Sequence, residues 1–167
     1  ILYLFLMQLS MQKKIRICQI CSVDFTFKNF LQELMKYQKS IGWEVTCLSS
    51  RGKYLNKLKN TGFKIKSINI QRNFNLFNKL LVIFNLYKYL KKQNFDLVHT
   101  HTPLISILVR IVCIFIKRTK VVYTAHGYYF HENMNFFSYN INYILEKILS
   151  YFTNLTFVQS KEDFNIA

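Results

Sequence analysis

Three of the four histidines fall where apolar, β-rich runs give way to small polar residues. His99 and His101 lie in Val98-His-Thr-His-Thr-Pro103, and His126 lies in Val122-Tyr-Thr-Ala-His-Gly-Tyr128. A similar run ends in Ser22-Val-Asp-Phe-Thr26 and adds the carboxylate of Asp24. Imidazoles, hydroxyls and a carboxylate are the groups that hydrogen-bond ligands, move protons or ligate metals. His126 is the strongest candidate, because Gly127 after it lets the backbone turn sharply or approach a ligand closely, with Tyr128 next in the chain. His101 and Thr102 stand at a turn before Pro103, where Thr102 either caps the next helix or faces the same cleft. His99 lies inside the strand pattern, so a hydrogen-bonded core histidine is the competing reading. His131 and Glu132 read as solvated loop residues.

The His-x-His spacing also fits a metal pair that His126 could join, but no Asp or Cys stands nearby in sequence to complete a set. No metal site is expected. Cys18-Gln-Ile-Cys21 has the C-x-x-C spacing, yet it sits in a strand pattern without a second pair, whereas a redox motif opens a helix. Cys18, Cys21, Cys47 and Cys113 read as small buried residues. With no disulfide framework, a reducing cytoplasm is the expected compartment.

The elements that must position these residues follow from periodicity. Strands are expected at 15–23, 43–48, 63–70, 95–100, 119–125 and 153–159 from β-branched and apolar runs. Helices are expected between them. Residues 27–40 carry apolar side chains at 27, 30, 31, 34, 35 and 37, and residues 52–60 form a short polar helix. Residues 78–93 place Leu80, Ile83, Phe84, Tyr87 and Leu90 on one side and Asn85, Lys88, Lys91 and Lys92 on the other. A buried helix opens at Pro103 and is interrupted by Arg110, and 136–152 form another. Ser160 with Asp163 signals the start of one more. This alternation predicts an α/β fold, a single Rossmann-like doubly wound parallel sheet. Such sheets bind ligands at the carboxyl ends of their strands, near the switch point between the first and fourth. The three candidate segments would share that rim.

The 167 residues suffice for one domain, and the balance of 23 Lys and Arg against 8 Asp and Glu gives +15. That charge favours an anionic partner such as nucleic acid, anionic lipid or a phosphorylated ligand, against the plain reading of a solvated, Lys-rich surface. The opening apolar run is a poor signal peptide and too short to span a bilayer. Met11 before Lys13-Lys14 looks like a truer start, so residues 1–12 read as a non-domain extension and 13–167 as the domain.

Three quoted stretches carry a resemblance. "FDLVHTHTP" and, about twenty residues on, "VVYTAHGYYF" resemble the paired signatures of family 4 glycosyltransferases of the GT-B fold, specifically the bacterial capsular and exopolysaccharide subgroup. "LEKILSYFTNLTFVQSKEDFNIA" is similar to that subgroup's glutamate helix, next strand and following helix. The resemblance covers residues 13–167. It implies the N-terminal, acceptor-binding half of a GT-B enzyme, with the C-terminal domain missing from this chain. The implied reaction is a retaining transfer of a sugar from a nucleotide-sugar donor to an acceptor, often a lipid-linked saccharide, at the inner face of the cell membrane, with no separate cofactor. It assigns His126 a contact with the transferred sugar, making it the candidate catalytic residue. Asp24, His99, His101, Thr102, Gly127 and Tyr128 are the candidate substrate-binding residues, and Glu146 matches a recurrent helix glutamate.

The chain departs from the family where Ser22-Val-Asp-Phe-Thr-Phe27 replaces a Gly-rich loop, and where His-Gly-Tyr-Tyr-Phe replaces His-Gly-Phe-His-Phe. Without the groups that hold the donor diphosphate, this polypeptide alone is expected to be inactive, either a truncated product or half of a split enzyme with a separately encoded partner domain. A non-catalytic remnant and a basic nucleic-acid-binding α/β domain are the alternatives. No helix-turn-helix, zinc finger or RNP-type strand is apparent, so no nucleic-acid partner is expected.

Overall fold

The computed structural model describes residues 14–70, 76–128, 130 and 134–166, so the proposed extension at 1–12, Met11, His131 and Glu132 lie outside the described residues. Six parallel strands, β1 (Arg16–Ile20), β2 (Glu44–Ser49), β3 (Lys64–Ser67), β4 (Leu97–His101), β5 (Lys120–Ala125) and β6 (Leu155–Val158), form one sheet in the order β3-β2-β1-β4-β5-β6. Every strand but β2, which keeps its expected length one residue further on, is shorter than the run that announced it, because pairing ends where the chain leaves for the next helix. The order reverses between β1 and β4, as the alternation predicts.

Helices cover both faces. The first begins as Asp24–Thr26, passes through a π-helical segment Phe27–Leu31 and continues as Gln32–Ser40; together these form α1. The others are α2 (Leu55–Asn60), α3 (Leu76–Gln93), α4 (Pro103–Ile114), α5 (Phe136–Ser150) and α6 (Lys161–Ile166). Pro103 occupies the first turn of α4, where a missing N–H costs nothing. At α6 the Ser160 hydroxyl accepts from the Asp163 amide at 2.9 Å, capping the first turn, and donates to the Asp163 carboxylate at 2.8 Å.

Strand alternation sorts the core into two layers. Cys18, Ile20, Leu48, Val98 and Val121 pack with α3 and α4, while Ile17, Cys21, Val45 and Cys47 pack with α1 and α2. Cys18 and Cys21 therefore belong to different layers, on opposite faces of the sheet. All four cysteines are free and buried, and burial pushes the Cys47 and Cys113 thiols up to about 12.

Two expected helix faces need correction. In α3 the buried side is Val82, Leu86 and Leu90, whereas Leu80 and Phe84 are each 56% exposed. In α1 the buried positions are Phe27, Leu31, Met35 and Gln38; Phe30, placed in the apolar stripe by periodicity, is 67% exposed. Those four buried positions keep helical spacing, and Phe30 lies beyond the edge of that face.

The candidate active-site cleft

The carboxyl ends of β1, β2 and β4 are laced together by hydroxyls. The Ser22 amide donates to Thr102 Oγ1 at 3.1 Å, and the two hydroxyls lie 2.9 Å apart. Ser50 donates through its hydroxyl to the Ser22 carbonyl at 2.6 Å. Thr102 thus uses its side chain to tie β1 to β4 rather than to cap α4, whose first turn receives no side-chain cap. Its φ of 64° lies in the left-handed region, which a β-branched residue enters at a cost of about 1–3 kcal/mol. Strain of this size persists only where the surroundings over-determine the conformation, as the Ser22 bonds do here.

Three imidazoles follow one another along this rim in a loose stack, each ring tilted on the next by 37° and 33°. The ring centroids of His99 and His101 are 4.1 Å apart and those of His101 and His126 are 5.9 Å apart. His99 and His101 are buried and His126 is exposed, so the stack runs from the interior of the sheet to the mouth of a cleft. His99 Nε2 lies 2.8 Å from Thr124 Oγ1 of β5, the residue that pairs with His101. His101 is held by a chain that the sequence reading did not anticipate: Gln19 Nε2 donates to Gln38 Oε1 at 3.0 Å, which turns Gln19 Oε1 toward His101 Nε2 at 2.8 Å. The amide oxygen accepts, so His101 Nε2 carries the hydrogen. Nδ1 then presents a lone pair, buried and without a partner among the described residues. Burial first, then the His126 charge, lowers the His99 pKa to about 4; burial, then His99 and His126, lowers that of His101 to about 2. Both are neutral near pH 7, so the stack offers oriented donors and acceptors rather than net charge.

Gly127 has φ +104°, and a Cβ built there meets nothing within 4 Å. Backbone conformation, not crowding, is what asks for glycine after His126. Opposite the stack, the π segment of α1 brings Phe30 to 6.4 Å from His126, and Phe30, Phe25 and Tyr54 follow one another at 6.2 and 6.0 Å. Exposed aromatic rings beside hydrogen-bonding imidazoles suit a ligand with both C–H faces and hydroxyls.

The remaining candidates lie elsewhere along the rim. The Asp24 carboxylate is buried and accepts from the Tyr54 and Leu55 amides at 2.7 and 3.1 Å, closing the start of α2. A Cβ at Gly52 would sit 2.1 Å from Asp24 Oδ1, so the carboxylate fills the space that glycine leaves. Tyr128 stacks on Phe130 at 5.2 Å and lines a separate cavity with Arg110 and Tyr123. The structure thus brings together His99, His101 and His126, supports them with Thr102 and Gly127, and does not join Asp24 or Tyr128 to the stack. Among the described residues no three His, Cys, Asp or Glu side chains are disposed to hold a metal ion.

A family model described as glycosyl transferase 4-like matches residues 19–160, from the end of β1 through β6, with His99, His101 and His126 inside it. The chain belongs to that family. It is 35% identical over 156 residues to a Bacillus subtilis (strain 168) protein provisionally named glycosyltransferase EpsD, covering 92% of this chain and 39% of that protein. It is 41% identical over 61 residues, 36% of this chain and 16% of the relative, to the Escherichia coli UDP-Gal:alpha-D-GlcNAc-diphosphoundecaprenol alpha-1,3-galactosyltransferase. The chain therefore spans about two fifths of the length of the longer match. In three dimensions it resembles a solved Listeria monocytogenes structure assigned as a UDP-N-acetylglucosamine 2-epimerase, with a TM-score of 0.67, 14% identity and coverage of 92% of this chain and 41% of that one. That likeness supports the Rossmann-like fold expected of one half of a GT-B protein and says nothing of the reaction.

Proposed function

We propose that this chain is the acceptor-binding half of a retaining glycosyltransferase that moves a sugar from a nucleotide-sugar donor to a lipid-linked saccharide during surface polysaccharide synthesis. The observation that carries the reading is the stack of His126 on two neutral, hydrogen-bonded imidazoles at the mouth of the switch-point cleft. In such a transfer the bond from the sugar's anomeric carbon to the donor phosphate breaks. The acceptor oxygen bonds to that carbon from the same face, and its proton leaves with the nucleotide diphosphate. The residues here orient and recognise. His126 hydrogen-bonds a hydroxyl of the transferred sugar. Phe30 and Phe25 pack against acceptor C–H faces. His99 and His101 hold the floor uncharged, so that no cation there opposes the positive charge developing at the anomeric carbon. Groups that bind that diphosphate are assigned to polypeptide outside these residues, and this chain alone has little transferase activity.

The same reading gives the chain a peripheral place at the inner face of the cell membrane, where its acceptor resides. On α3 the exposed Phe77, Leu80, Leu81 and Phe84 are followed by exposed Lys88, Lys91 and Lys92, and the Lys88 ammonium lies 4.8 Å from the Phe84 ring centroid. An apolar patch continuous with cations fits an anionic bilayer surface, where each cation contributes about 1 kcal/mol. Among the described residues no helix is long and apolar enough to cross a membrane.

The test is a pair of assays on the same preparation. The chain is expected to retain a diphosphoundecaprenol-linked N-acetylglucosamine on anionic vesicles, yet to transfer no sugar from UDP-galactose or UDP-N-acetylglucosamine. Equal retention on vesicles with and without the lipid-linked saccharide would reject acceptor binding.

A further inference from the structure

The opposite face of β5 carries a second convergence of polar groups. A cavity of about 150 Å³ is bounded by Arg110 of α4, Tyr123 of β5 and Glu146 and Tyr143 of α5, with Tyr128 and Phe130 from the loop after His126. Tyr123 is wholly buried and Glu146 is 6% exposed. The Tyr123 hydroxyl and Glu146 Oε1 are both buried without a hydrogen-bond partner among the described residues. A buried polar atom left unpaired carries its full desolvation penalty, so two of them around one cavity point to an occupant that satisfies both.

The surroundings define its chemistry. Glu146 Oε2 accepts from the Arg110 guanidinium at 2.6 Å, and that guanidinium lies 4.4 Å from the Tyr123 ring centroid. The pair is neutral overall: an anion would face the carboxylate and a cation the guanidinium, so the occupant is uncharged. The free carboxylate oxygen needs a donor, and the phenol can donate or accept. Tyr128 stacks on Phe130 at 5.2 Å, and Phe130 meets Tyr143 edge-on at 5.8 Å, giving the cavity an aromatic wall. A cavity of this size admits about one six-membered ring.

We infer that this cavity is a second carbohydrate subsite, taking one neutral pyranose unit whose hydroxyls bond Glu146 Oε1 and the Tyr123 phenol while a ring face lies on the aromatic wall. It stands apart from the histidine cleft and does not depend on what that cleft binds. Because Tyr128 follows His126 by two residues, an occupant also fixes the loop that carries the exposed imidazole.

The experiment titrates D-glucose, D-galactose and N-acetyl-D-glucosamine separately into the protein while following tyrosine and histidine ring signals by NMR. The expected result is saturable binding of at least one sugar, with shifts at Tyr123 and Tyr128 and none at His99 or His101. Tyr123→Phe keeps the ring and removes only an unpartnered hydroxyl, so it folds; it should weaken binding by about tenfold, the loss of one good hydrogen bond. Three outcomes overturn the inference: no saturable binding by any of the three, binding indifferent to Tyr123→Phe, or shifts confined to His99 and His101. The last would place the sugar in the cleft and leave only water in this cavity. Failure of the cleft reading would appear separately, as transfer that survives loss of His126.

Discussion

The two faces of β4 and β5 solve the burial of polar side chains in opposite ways. On one face His99, His101, Thr124 and Gln19 form a neutral, hydrogen-bonded layer that leads outward to an exposed imidazole. On the other, Arg110 and Glu146 form an enclosed ion pair, both nearly inaccessible, beside Tyr123. Neighbouring residues on the same strands, Tyr123 and Thr124, serve the two arrangements, because successive strand side chains point to opposite faces. Neutral groups near a cleft can exchange partners with a ligand at little electrostatic cost. A buried ion pair cannot, since either charge left alone is heavily penalised. The hydrogen-bonded layer suits exchange with a ligand, while the ion pair holds α4 and α5 together and leaves the Tyr123 hydroxyl and Glu146 Oε1 as the groups its cavity offers.

The sharpest contrast should come from breaking one partner on each face. Glu146→Ala leaves the Arg110 charge buried and unpaired, and unfolding in urea should show a loss of about 3–5 kcal/mol. The double variant Arg110→Met/Glu146→Leu should recover most of it; a double variant as unstable as the single would show that the ion pair is not the cause. On the histidine face, Gln19→Leu leaves His101 Nε2–H without its acceptor and should cost about 1–3 kcal/mol, with Gln38 also losing a partner. A Gln19→Leu midpoint equal to that of the parent would mean that the amide chain does not hold His101.

The pH dependence of stability reads the histidine face directly. Burial holds the folded pKa of His99 at about 4 and that of His101 at about 2, below the ordinary 6.5. From pH 6.5 down to those values the unfolded chain binds protons that the folded chain refuses, so stability is full above about 6.5 and is lost as pH falls. Each histidine contributes a slope of about 1.4 kcal/mol per pH unit within its window. His99→Gln should remove one such slope between pH 6.5 and 4; an unchanged slope would show that the imidazole titrates normally. The smallest effect is expected at the turn. Gly127→Ala must place a Cβ at φ +104° and should lower stability by about 1 kcal/mol, and a neutral result would mean that the loop relaxes.

Much of this layout was legible before any coordinates. Alternating β and helical periods gave six strands in the right order along the chain, and strand ends rich in His, Thr and Gly located the rim. What periodicity could not see were features set by partners distant in sequence. Asp24 reads as a free strand-end carboxylate until the amides of Tyr54 and Leu55, thirty residues on, are seen to engage it. Phe30 reads as core because the apolar stripe of α1 is wider than the face that packs: Phe27, Leu31, Met35 and Gln38 are buried, and Phe30 at the edge lies beside His126 instead. Gln19 did leave a signal: an amide in a strand buried on both faces must find a partner, and that partner proved to be His101. Glu146 was matched by resemblance alone, while its reason, the buried Arg110, lay in a helix whose one charge had already interrupted an apolar run.

The account rests on His126 touching the sugar that is transferred. The measurement that meets this most directly is kcat/KM for sugar transfer by the complete enzyme bearing His126→Ala, alongside its urea midpoint. The side chain is exposed, so the midpoint should stay within about 0.5 kcal/mol, while kcat/KM falls about a hundredfold, as for loss of a single well-placed hydrogen-bonding group. Transfer at the parental rate by a stably folded His126→Ala enzyme would contradict the assignment of this cleft.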